Sequence, residues 1–494
     1  MADKGEPTVF QKILGCLGIV ENGDNGGAER LVKSLYTRAR KGVAQAQYDL
    51  GVLLLKQKGG KENEATAYHW IKLSAEKGVL QAQEALAHFY ASGRGGGSSH
   101  ASKAVQWWKR AADQGSVEAA FRLGEAFRSG EGTEPDPASA RTWYGRAATA
   151  GRVEAQYRLG LLSLEEKDPS GALLWLTRAA VAGHAQAQLE LGKLYLGGRG
   201  IERRSSASVH WLRRAALQGI VEAQNRLGEA YASGKGVLYD PAEAVRWFEK
   251  AADGGSFEAL NHLGEACTLG IGIRQNWPLA LERFTAAARA GSGRALCNLG
   301  GIYMHGYGVK RDEVQAMRFY REAAEKGDAT AQNNLALAYF AGVGGEADDR
   351  EGMFWLERAA EQGDRYAQYN LSKAYFIGKG TRRDLKRSLE WVQKAAVQGH
   401  VEAQFYLARA LSIGIGVERD KKRAAHWYSL AADQGHVLAE VALAKACETG
   451  DGIEKDEARA VYLYYHAMRK GNREAKARLL TLVSNEYESP PHGN

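Results

Sequence analysis

The chain has 494 residues, 45% of them hydrophobic and 25% charged, a balance that excludes a disordered polymer and places it among folded soluble proteins. No stretch approaches the roughly 20 consecutive apolar residues that span a bilayer, so no membrane span is expected. The net charge of +8 stands against 58 acidic residues, which permits an anionic partner without requiring one.

Residues 1–27 follow no periodic pattern. "ILGC" at Ile13 to Cys16 resembles a lipoprotein cleavage box, but Glu6, Gln11 and Lys12 interrupt the apolar segment such a signal needs, so export is not expected. From about residue 28 to 484 a Gly-x-x-x-Ala unit recurs, running from Gly42/Ala46 to Gly471/Ala475, and ten of its twelve intervals are 36 residues long. The remaining segment, 485–494, reads as a disordered tail.

Within each unit the Ala opens an amphipathic helix, helix A, as in "AQYNLSKAY" from Ala367 to Tyr375, with apolar residues at intervals of four. Gly-rich turns such as "SGKGV", "HGYGV" and "IGIGV" close it, because Gly takes the left-handed conformation that ends a helix. Helix B follows, with "DPASA" at Asp136 and "DPAEA" at Asp240 as cap and first turn. It carries Trp-x-x-x-Ala-Ala-x-x-Gly, and nine of the eleven Trp occupy that slot. The slot Trp are predicted to be buried rings that fill the space beside close-packed Ala.

Neither helix can bury its stripe alone, so the expected fold is all-α: an elongated, monomeric, right-handed α-solenoid superhelix of about twelve helix-turn-helix repeats with a continuous core. The fifth unit has 32 residues, with "LEEKDPSGA" in place of the Gly-x-Gly-Val turn, so a changed stacking angle is expected near Glu165 to Gly171. In the unit from about 259 to 291, Arg283 stands in the Trp slot and Trp277 lies outside it, which predicts a looser joint.

Catalytic chemistry is missing from the pattern. "GKG" at Gly234 and Gly378 lacks the Ser/Thr and strand of a phosphate loop. The twelve His show no metal-ligand spacing; six of them fall in two repeat slots, after the turn Gly (His184, His400, His436) and before the Trp (His69, His210, His426). Cys16, Cys267, Cys297 and Cys447 have no paired spacing, which points to free, inert thiols in a reducing, cytoplasmic setting. No catalytic, cofactor-binding or metal-binding residue is assigned, and the chain is read as no enzyme.

The pair "AxxLGxxYxxGxGV" and "AxxWxxxAAxxG" resembles the Sel1-like repeat, a relative of the tetratricopeptide repeat. The resemblance implies a helical superhelix that serves as a scaffold or adaptor for protein or peptide partners. Some relatives staple each repeat with a Cys pair, and those pairs are missing here.

Two surfaces are candidates for contact. Basic clusters at "RGIERR", "KGTRRDLKR" and "ERDKKR" line the turns between A and B helices and could meet nucleic acid or an anionic membrane surface. The second surface lies on helix A, where residues two, six and nine after the Ala point about 200°, 240° and 180° from it, toward the concave wall. A groove over units 331–412 is expected there. Asn333, Tyr369 and Phe405 hold position two, Lys373 and Arg409 position six, and Phe340 and Phe376 position nine, with Asn225 and Asn261 continuing the position-two row. Amides, cations and rings together suit a short peptide segment, although aromatics at helical spacing also serve packing.

Overall fold

The computed structural model describes residues 26–56, 60–93, 100–198 and 200–488. The expectations for Ile13 to Cys16 and for 489–494 therefore fall outside the described residues. Twenty-six α-helices and no strand are present among the described residues, and the fold is an all-α helical-repeat solenoid. The last helix, Arg473–Glu488, runs past the 485 boundary drawn for the tail. No helix among the described residues is long and apolar enough to cross a membrane.

The chain divides into two compact units, Met1–Tyr239 and Asp240–Asn494. The first holds the twelve helices from Gly26–Arg40 to Val221–Ser233, and the second the fourteen from Pro241–Asp253 to Arg473–Glu488. Inside each unit successive helices pack as neighbours, and in the second the A helices Gly293–His305, Ala329–Ala341 and Arg365–Ile377 also touch one after another.

The turns explain the glycines. Gly378 closes Arg365–Ile377 at φ 78° and donates its N–H to Ala374 O at 2.8 Å. Gly380, two residues on, has another role: a Cβ there would collide with the Asp349 carbonyl at the start of the preceding helix B. One Gly ends the helix, and the other lets consecutive repeats touch. Asp384 then accepts from Arg387 N at 3.0 Å and caps the next helix. His184, His400 and His436 are caps too, each Nδ1 accepting a backbone N–H of the first turn at 3.1–3.2 Å.

The core bears out the Trp slot in part and adds a deeper position beside it. In four of the B helices the residue after the Trp is fully buried: Ile71, Tyr144, Leu176 and Leu356 are at 0% exposure, as is Tyr464, which follows Leu463 in the Trp slot. This position lies over a small residue of helix A. A Cβ added at Gly124 would sit 2.5 Å from Tyr144 Cδ1, so Gly there lets a large ring approach the helix backbone. Of the slot Trp, Trp70, Trp143, Trp247 and Trp355 are buried, and Trp107, Trp175, Trp211, Trp391 and Trp427 are half-buried. Seven of them lie under a cation three residues later, one helical turn on: Arg110, Arg146, Arg178, Arg214, Lys250, Arg358 and Lys394, the last with Nζ 3.7 Å from the Trp391 ring.

The same rule resolves the unit at 259–291. Phe284, not Arg283, fills the deep position over Gly264 at 1% exposure, and Trp277 stacks on Tyr307 at 4.8 Å, so the unit is closed by core packing like its neighbours. In the short unit at 153–184 Lys167 takes φ 59°, the left-handed conformation supplied elsewhere by Gly, and Asp168 caps the next helix directly.

Candidate functional site

A polar ladder runs beside this core. The Gln after the repeat Ala donates to a carbonyl of the preceding helix B: Gln332 to Ala324 at 3.0 Å, Gln368 to Ala360 at 3.2 Å and Gln404 to Ala396 at 3.2 Å. Its own oxygen accepts from the Gln that ends the following helix B, in the pairs Gln362–Gln332, Gln398–Gln368 and Gln434–Gln404 at 2.7–2.8 Å. At the last rung Glu440 and Lys470 replace the two Gln, at 2.8 Å. The buried amides of Gln332, Gln368 and Gln404 are thus satisfied within the framework.

Position two after the Ala belongs to the same framework. It meets the N-cap of the next repeat: Tyr157 stacks on His184, Tyr369 on His400 and Phe405 on His436, with centroids 4.4–4.5 Å apart. Asn261 donates to Ser292 Oγ at 2.6 Å, Asn333 accepts from Asn370 at 2.9 Å, and Asn225 donates to Glu229 at 3.1 Å. All three asparagines are buried, so the amide row expected to face a peptide is turned into the fold. Phe340 packs on Gly352 with Lys379 over its ring at 5.2 Å.

Four of the expected residues do come together. Tyr369, Lys373, Phe376 and Arg409 line a cleft of about 340 Å³ between the A helices Arg365–Ile377 and Val401–Ile413. Its floor is Leu385, Leu389 and Val392 of the intervening helix B, and Ile377, Tyr406 and Ile415 complete its rim. Phe376, Ile377 and Tyr406 are exposed apolar side chains. The floor residues were missed from sequence because helix B was read as core only; its first turns rise between the two A helices.

The basic clusters are largely engaged. Arg204 pairs with Glu202 at 2.6 Å, Arg419 donates to Ser412 O at 3.0 Å, and Arg387 donates to Tyr375 Oη at 3.2 Å. Lys379 donates to Phe340 O at 2.9 Å, and Lys421 pairs with Asp451. Cys267, Cys297 and Cys447 are free and buried, and burial pushes the Cys297 thiol up to about 12. Among the described residues no group of three or more His, Cys, Asp or Glu could hold a metal.

Stacked A/B pairs closed by Gly-x-Gly turns define a helical-repeat protein. The family model of the Sel1 repeat matches twelve consecutive segments, 44–79, 80–116, 117–151, 153–184, 185–220, 221–256, 257–292, 293–328, 329–364, 365–400, 401–436 and 437–472, and the chain belongs to that family. Members are generally protein-interaction scaffolds. Among solved structures it is similar to a protective antigen of uropathogenic Escherichia coli displaying an SLR fold, at 29% identity, TM-score 0.66, covering 94% of this chain and 98% of that one. It is also similar to a Sel1 repeat protein from Oxalobacter formigenes, at 31% identity, TM-score 0.45, covering 62% of this chain and 89% of that one. No curated protein matches the chain.

Proposed function

We propose that the chain is a non-enzymatic scaffold that binds protein or peptide partners, and that the cleft between Arg365–Ile377 and Val401–Ile413 is a partner site. The observation that carries this reading is the cleft's composition. Exposed apolar side chains surround an apolar floor, and Lys373 and Arg409 stand at its edge. Its volume falls at the low end of the ligand-pocket range of about 300–1,000 Å³, room for one or two side chains of a docked segment. Apolar floors with sparse charge at the rim are the usual make-up of an interface anchor.

Structure sharpens the choice of variant. Phe405 and Tyr369 support the next repeat, so removing them confounds binding with stability. Ala410, half-buried on the cleft wall, can instead be enlarged: Ala410→Phe fills the space from within. The test is affinity capture from the source organism with wild type and Ala410→Phe, quantified protein by protein. A set of partners lost with the variant at unchanged melting temperature is expected; identical capture by both proteins would remove the cleft from the function.

A further inference from the structure

Position six of the A helices carries a charge in many repeats, and the fold usually neutralises it. Glu125 pairs with Arg158 at 3.1 Å, Lys193 with Glu222 at 3.5 Å, Glu265 with Arg294 at 2.7 Å, and Lys445 with Glu474. Lys373 and Arg409 are different. Neither makes an ion pair or hydrogen bond with any described residue; Lys373 Nζ stands only over the Tyr369 ring, 5.6 Å from its centroid. Glu402 occupies the sequence slot from which Glu222 reaches Lys193, but it lies 3.5 Å from His400 Nδ1 and does not pair with Lys373. The corresponding slot for Arg409 is held by Leu438, which has no charge to offer. Both cations are exposed, stand one repeat apart, and border the same apolar cleft, whose lining includes no carboxylate.

Resting on the scaffold reading of this cleft, we propose that its occupant is an acidic peptide segment: a bulky apolar side chain enters between Leu389, Val392 and Tyr406, and Asp or Glu side chains on either side of it meet Lys373 and Arg409. The apolar contact supplies most of the affinity, since exposed charge pairs are individually weak. The charges supply choice. Two unmatched cations at the rim reject basic segments and leave neutral ones without the partners the rim provides.

The experiment uses the full chain and an array of synthetic decapeptides, each with a central Phe, Trp, Leu or Tyr flanked by Glu, by Gln or by Lys. Glu-flanked peptides should be captured about tenfold better than their Gln counterparts at low salt, the preference shrinking as salt screens the rim. Lys373→Glu with Arg409→Glu, two exposed positions whose change should leave the melting temperature alone, should reverse the preference toward Lys-flanked peptides. Equal capture of Glu- and Gln-flanked peptides that Ala410→Phe abolishes would overturn the acidic preference while the cleft stays a peptide site. Capture that Ala410→Phe leaves untouched, or no capture at all, would remove the cleft reading too. Dodecanoate bound in place of every peptide would overturn it in favour of a lipid-like anion.

Discussion

The glutamine ladder can be tested by transplanting its Glu440–Lys470 rung. Gln404→Glu removes the N–H that bonds Ala396 O and places a carboxylate at a position 4% exposed. A buried charge without a partner costs about 3–5 kcal/mol. Gln434→Lys alone loses an amide for an ammonium that can still reach Gln404 Oε1, at about 1 kcal/mol. Together they recreate the geometry of Glu440 and Lys470, where Nζ lies 2.8 Å from Oε1. The double variant should regain about 2 kcal/mol relative to the sum of the single effects. Recovery should be partial, because the native rung has a second donor, His466 Nδ1 at 2.9 Å from Glu440, and Leu430 stands at that place in the transplant. Repeat arrays need not unfold in one step, so hydrogen exchange of amides 401–436 should accompany urea denaturation. Additive single effects, with no recovery in the double variant, would refute the ladder.

Leu356→Ala, at a position with no exposure, should cost about 2–5 kcal/mol, and Trp391→Ala about 2–3 kcal/mol, its side chain keeping part of its surface in water; a loss at Trp391 above that at Leu356 in denaturation would restore the Trp as the deep residue. Gly124→Ala gains about 1 kcal/mol of helix propensity but forces a Cβ to 2.5 Å from the Tyr144 ring, and overpacking costs about 1–3 kcal/mol, so the melting temperature should fall; a rise would contradict the close approach. Burial holds His400 and His436 below the ordinary imidazole value. The unfolded chain therefore binds more protons than the folded one between the two values, and stability should be full above about pH 6.5 and decline below it. His400→Asn with His436→Asn keeps both caps and should flatten that decline in melting curves; an unchanged slope would show that the pH dependence arises elsewhere. Reductant should leave the melting temperature unchanged, since Cys267, Cys297 and Cys447 are free, and a fall would reveal pairing.

The repeat, its two helices, its caps and its turns were legible because each is a local signal: Asp384 before Leu385, or Gly378 after Ile377, acts within a few residues of itself. The deep position was harder to read, since Trp391 and Val392 are both apolar and helical period does not rank neighbours. The discriminating residue lies on the other helix, as Gly264 does for Phe284. Position two carried a readable signal of another kind. Its residue matches the cap one repeat on, a ring before His400 and His436 and an amide before Ser292. Reading the helix face by angle alone turned Asn261 and Asn333 outward, whereas contact with the next repeat turns them in. Lys373, Phe376 and Arg409 were found by angle because they stay exposed on their A helices.

The cleft is tested most directly by contact. Tyr406 on its rim is replaced with the photo-crosslinking residue benzoylphenylalanine, with Tyr462, an exposed residue outside the lining, as the control position. After irradiation with a captured partner, a crosslink from position 406 mapped to one short acidic segment of that partner, and none from 462, is the expected result. A crosslink from 462 with none from 406 would contradict the assignment.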